Sequence, residues 1–123
     1  MSQSNIDEIV KFAFTLQLLN KVYHWNTQSY AKHKATCAFN TSLLEIIDKF
    51  VEVYIGRFGV KPNISNITLD PLKLTDEGFI LMLNRSVTYL ETFDTMFKQT
   101  ELLNIRDELL ASINQTIYLL NLK

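Results

Sequence analysis

Along this chain, apolar side chains recur at intervals of three and four over long stretches. That spacing gathers them on one face of an α-helix. Four stretches carry the pattern: NIDEIVKFAFTLQLLNKVYHW (5–25), SYAKHKATCAFNTSLLEIIDKFVEVYI (29–55), DEGFILMLNRSVTYLETFDTMF (76–97) and ELLNIRDELLASINQTIYLLNL (101–122). Between the second and third the pattern stops. Gly56, Gly59, Pro62 and Pro71 gather there, and GRFGVKPNISNITLDPLKLTD (56–76) reads as a loop. Ser29 and Thr75 stand where the second and third helices need N-caps. Asp76 and Glu77 put negative charge at the positive end of the third helix dipole. Thr100, followed by Glu101, predicts the same arrangement for the fourth helix, and Gly56 or Gly59 ends the second.

Connection lengths then predict the topology. The first two helices are joined by about four residues and the last two by a link as tight, at Lys98–Thr100, so each pair forms an antiparallel hairpin. The loop between the pairs has roughly 18 residues and reaches ~60 Å when extended. A helix of about 27 residues is ~40 Å long. The loop therefore spans the bundle, and the second and third helices run parallel. The expectation is an all-α protein: one ferritin-like four-helix-bundle domain over residues 1–123, two helix hairpins joined by one long crossover.

Composition narrows the function classes. With 13 acidic and 12 basic side chains the net charge is −1, which offers no basic excess for nucleic acid. The N-terminal stretch MSQSNIDEIV lacks lysine and arginine, so it predicts neither a DNA-binding arm nor a secretory leader. No apolar run approaches the ~20 residues that span a bilayer. The single cysteine, Cys37, makes no internal disulfide, which fits a reducing, cytoplasmic compartment.

The second helix has two faces to satisfy. Phe39, Leu43, Ile46, Ile47, Phe50 and Tyr54 form the stripe expected inside the bundle. Nearly opposite run His33, Cys37, Leu44, Asp48, Val51, Glu52 and Ile55, too apolar for a solvated face and suited to an interface with another chain. Asp48 and Glu52 are four residues apart, so their carboxylates share a face and can grip one cation. His33 precedes Asp48 by 15 residues, or ~22 Å of helix, too far to share a metal within one chain. His24 and His33 are equidistant from the turn and so lie level. The chain thus carries a histidine half-site at one end of this face and a carboxylate half-site at the other. A two-fold axis near Asn40 or Thr41 brings each histidine pair onto the partner's carboxylate pair. Imidazole and carboxylate together suit iron, zinc or manganese.

These residues resemble the Dps-type mini-ferritins of the ferritin-like superfamily. The matching features are His24-Trp25-Asn26 near the end of the first helix, then His33, Asp48 and Glu52 at the family's spacing. The resemblance covers roughly residues 10–59, and short ferritin-like proteins from viruses are similar too. It implies a ferroxidase site between two-fold-related subunits, with His24, His33, Asp48 and Glu52 as both metal ligands and catalytic residues. Iron is the implied metal, and a twelve-subunit shell that stores the ferric product is the implied assembly. For a viral member the compartment is the host cytosol or the virion. The turn is about three residues shorter than in the family. Cys37 stands where many members have an acidic ligand, and no lysine-rich tail implies DNA binding.

The leading expectation is Fe(II) oxidation by peroxide or oxygen at this shared site. The alternative is a non-enzymatic helical assembly protein without ferroxidase activity. Trp25 is expected to pack beside the site, Cys37 to be buried as a small apolar residue, and Glu77, Glu91, Asp94, Asp107 and Glu108 to face solvent.

Overall fold

The computed structural model describes residues 3–123, without the side chains of residues 72 and 73. Met1 and Ser2, which open the stretch examined for a leader or basic arm, lie outside the described residues. The elements are α1 (Gln3–Asn26), α2 (Tyr30–Phe58), a 3-10 turn at Pro71–Leu74, α3 (Asp76–Glu91), α4 (Phe93–Met96) and α5 (Thr100–Leu120). Because α4 is a single turn that continues α3, this is an all-α protein of four helices packed together. Among the described residues no helix is long and apolar enough to cross a membrane.

Each helix buries its apolar stripe in one shared core. Ile6, Ile9, Ala13, Leu16 and Leu19 of α1 meet Phe39, Leu43, Phe50 and Tyr54 of α2, Phe79 and Leu83 of α3, and Ile105, Leu109 and Ile113 of α5. Ile46 and Ile47 are only partly buried against it. About a third of the core is aromatic. Phe50 packs on Phe93 and Phe97 with ring centroids 5.8 and 5.9 Å away, and Tyr54 meets Phe97 edge-on at 6.1 Å. Such tilted pairs contribute beyond the area they bury.

Contacts along the helices give their directions. Asn20 pairs with Thr36, and His24 with His33, so α1 and α2 are antiparallel. Tyr23 stacks on Phe79 at 4.3 Å while Phe12 meets Tyr89 at 4.6 Å, so α1 and α3 are antiparallel as well. Ser42–Ser112 and Arg57–Glu101 set α2 against α5 in the same sense. Hence α2 and α3 point the same way, and residues 59–75 travel from one end of the bundle to the other. That segment is tied to α1 where it starts. Gln3 Nε2 donates to the Lys61 carbonyl at 2.6 Å, and the Asn63 N–H donates to Asp7 at 2.7 Å. At its far end the Tyr23 hydroxyl donates to Asp76 at 2.6 Å, and Lys32 pairs with the same carboxylate at 2.9 Å.

The helix ends follow from local chemistry. Ser29 accepts the Lys32 N–H at 3.3 Å and Thr75 accepts that of Gly78 at 3.0 Å. Gly59 ends α2 with φ of 69°, a left-handed conformation open to glycine, and its N–H reaches the Ile55 carbonyl. Thr100 does not cap α5. It is the first helical residue, and Gln99 takes the N-cap position without a side-chain bond.

The third helical stretch is not continuous. It breaks at Thr92, whose hydroxyl turns back to the Tyr89 carbonyl. The cause extends to α5. Arg106, 6% exposed, donates from Nη1 to the Leu90 carbonyl at 2.7 Å, an acceptor that an uninterrupted helix would give to residue 94. Its Nη2 binds Asp94 at 2.6 Å and its Nε binds Asp107 at 2.8 Å. Asp94 and Asp107 do face solvent, as expected, but their role is to balance this buried cation. Burial disfavours the guanidinium charge, yet the two carboxylates outweigh it and raise the Arg106 pKa.

Two outcomes follow. Arg106→Met removes the guanidinium bond from the Leu90 carbonyl and is expected to cost about 1–3 kcal/mol, read from urea denaturation. Asp76 is held below the usual carboxylate range, first by the Tyr23 hydrogen bond and then by that from Lys32. Its contribution is present above the unfolded value of ~3.9 and is lost as pH falls through the lower folded value. Asp76→Asn should therefore lower the urea midpoint at about pH 6 and matter much less at about pH 2. Equal losses at both pH values would refute the linkage.

Candidate metal centre

The two histidines face each other across the hairpin. Their rings stack with centroids 3.7 Å apart and planes 20° from parallel. Nδ1 of His24 lies 2.8 Å from the His33 carbonyl, and Nδ1 of His33 lies 3.0 Å from the His24 carbonyl. A carbonyl oxygen only accepts, so both Nδ1 atoms carry a proton, and in the neutral form of each ring the lone pair is on Nε2. Thr36 Oγ1 also sits 3.0 Å from His24 Nδ1 and donates to the Lys32 carbonyl. Asn20, fully buried, donates to the Thr36 carbonyl at 3.0 Å, and its own Oδ1 has no partner among the described residues. Together these side chains form a polar seam inside an otherwise apolar hairpin.

Burial keeps the His24 ring neutral. Burial pushes the His24 pKa below its usual value; the bond to the His33 backbone opposes this, while the His33 and Lys21 charges reinforce it. A neutral imidazole with a fixed tautomer is the form that ligates a metal. It is equally the form that packs in a hairpin.

Asp48 and Glu52 lie on the exposed side of α2, side by side. The Glu52 carboxyl is pushed above its ordinary range, first by a hydrogen bond shared with Asp48 and then by that neighbour's charge. Among the described residues of one chain, no cation forms an ion pair with either carboxylate. The unbroken α2 separates it from His33 by 15 residues, ~22 Å. Among the described residues no three His, Cys, Asp or Glu side chains of one chain form a metal-holding group. The chain thus brings together the histidines and, separately, the carboxylates, and leaves the halves apart.

Two expectations on this face are corrected. Cys37 is exposed, not buried, because it lies on the outward side of α2. Trp25 is 66% exposed and does not pack beside the histidines; Lys21 Nζ sits 5.5 Å from its ring centroid. Phe14, Leu18, Tyr30 and Leu44 of the same hairpin are also exposed apolar side chains, each more than 40% exposed. Asn20 and Thr36 were not legible as functional positions. The available signal was a polar residue on an otherwise apolar face, four residues before His24 and three after His33.

With fold and geometry in place, comparison with known proteins fixes the class. Residues 24–120 match DUF5856, a family of unknown function, and the chain belongs to that family. It is also similar to an uncharacterised 14.6 kDa protein from the mobD–ri intergenic region of Enterobacteria phage T4, 35% identical over 78 residues. The match covers 59% of this chain and 61% of that protein, so the chain spans about three fifths of the relative. No solved structure matches. The mini-ferritin resemblance is thereby corrected, and the twelve-subunit shell, which only that resemblance implied, loses its support. The physical reason is that a tight turn brings equidistant residues level in any helical hairpin. His24 and His33 have a use there that needs no metal, each pinning the other's helix end.

Because His24 is neutral and its pKa is lowered, it stabilises the fold above its unfolded value of ~6.5 and loses that contribution as pH falls toward the lower folded value. Thr36→Val should cost about 1–2 kcal/mol by leaving the seam a partner short. NMR titration of the two imidazoles should find the His24 midpoint below ~6.5; a midpoint above that would overturn the assignment.

Proposed function

We propose that this protein is a metal-binding homodimer whose two sites are each shared between chains. His24 and His33 of one copy supply Nε2 lone pairs, and Asp48 and Glu52 of the other supply carboxylates. The observation that carries the reading is the reciprocal pinning of the imidazoles. Ligands held by outer hydrogen bonds in one tautomer bind without reorganising. The closely placed carboxylates, with Glu52 pushed up by Asp48, support a cation on the other side. The exposed apolar side chains of the same hairpin support a two-fold contact. The helix directions agree with a ferritin-like arrangement.

Iron is the metal we favour, with zinc or manganese also suited to the ligand set. Fe(II) would be substrate, each ion giving one electron to peroxide or dioxygen while the carboxylates stabilise the ferric charge. The phage relative supports work in the cytosol of an infected host. The competing reading is a helical assembly protein with no metal. It draws on the same exposed apolar side chains and on the structural use that the hairpin already makes of both histidines.

A mixing experiment separates them. His33→Ala and Asp48→Ala each spoil both sites of their own dimer. In a mixed dimer one site unites the intact halves, so random exchange should restore about a quarter of wild-type sites. Anaerobic Fe(II) addition followed by peroxide, read by ferric absorbance, should show either variant inactive alone and the mixture partly active. No recovery in an exchanged mixture, or a wild-type rate equal to that of the double variant, would leave the assembly reading standing.

A further inference from the structure

The groove between α1 and α3 lies apart from the histidine pair and has a different character. These helices meet at Tyr23–Phe79 toward one end and at Phe12–Tyr89 toward the other. Between these contacts they leave an open cleft of about 430 Å³. That is within the size range of small-molecule sites. Its apolar lining comes from Phe12, Leu16 and Met82, the last two almost fully buried.

The cleft's charges are unbalanced. Lys11 on one wall and Arg85 on the other are exposed and make no ion pair among the described residues. Arg57 and Arg106, the other arginines, are both paired with carboxylates. Tyr89 lines the cleft as well, and its buried hydroxyl has no hydrogen-bond partner among the described residues. Burial first, and the charge of Glu8 second, push that hydroxyl up to about 12, so it remains a neutral donor.

We propose that this cleft binds an amphipathic carboxylate of medium chain length. Its tail would lie on Phe12, Leu16 and Met82, and its carboxylate between Lys11 and Arg85. Two facing cations above an apolar floor complement a molecule with one anionic end and one hydrocarbon end. A neutral apolar ligand would leave both cations unused. Glu8 repels an anion at its end of the cleft and so steers the carboxylate toward Arg85.

The test uses the whole chain with octanoate below its micellar concentration and octanol as a control, followed by amide NMR and calorimetry. Octanoate should saturate at millimolar concentration, shift the amides around Leu16 and Met82, and bind at least about tenfold more tightly than octanol. Lys11→Gln combined with Arg85→Gln should weaken octanoate by about tenfold or more and leave octanol unchanged. Both positions are exposed, so the variant should keep its thermal midpoint. Glu8→Gln should tighten octanoate only. Absence of saturation, equal affinity for octanol, or a double variant that binds as wild type would each overturn the proposal.

Discussion

The bonds between His24 and His33, each imidazole on the other's carbonyl, fix the register on which the rest of the bundle depends. Apolar stripes alone hold two helices together without choosing between neighbouring alignments, because one leucine contact resembles the next. A pair of directional bonds at the turn removes that freedom. Asn20 and Thr36 extend the constraint one turn deeper. Once α1 and α2 are aligned, the faces presented to α3 and α5 are set. The cost is a buried polar group left short, the Asn20 Oδ1. A single favoured register is the return for that incomplete satisfaction.

Arg106 does a comparable task on the other hairpin. It binds the Leu90 carbonyl near the end of α3, holds the start of α4, and is buried with two carboxylates reaching in from solvent. The two hairpins are thus organised by different chemistry. One uses neutral side chains on carbonyls, and the other a cation between acids. The aromatic cluster of Phe50, Tyr54, Phe93 and Phe97 joins them.

Much of the fold was legible from periodicity and punctuation. Ser29, Thr75 and Gly59 act through their own backbone, so local sequence shows what they do. The break at Thr92 was not legible, because its cause sits on another helix at Arg106. Thr100 misled for a related reason: a capping side chain followed by an acid looks the same whether or not the preceding residue takes the cap. Of the candidate site, helix geometry placed His24 level with His33 and kept Asp48 and Glu52 remote. The partners of those rings, and the exposure of Cys37 and Trp25, depend on tertiary packing, which a wheel drawn for one helix omits. The family assignment rests on residues 24–120, far more of the chain than the few spaced residues that suggested a mini-ferritin.

The alternation of short and long connections has a kinetic consequence. Pairing within each hairpin joins residues close in sequence, so loop closure costs little and helix docking there is fast. Contacts of α1 with α3 and of α2 with α5 close much larger loops. The two hairpins are therefore expected to form first, with their docking through the aromatic cluster as the slow step. A change at His24 or Thr36 acts on a unit already formed by then, whereas one at Phe50 or Phe93 acts on the slow step itself.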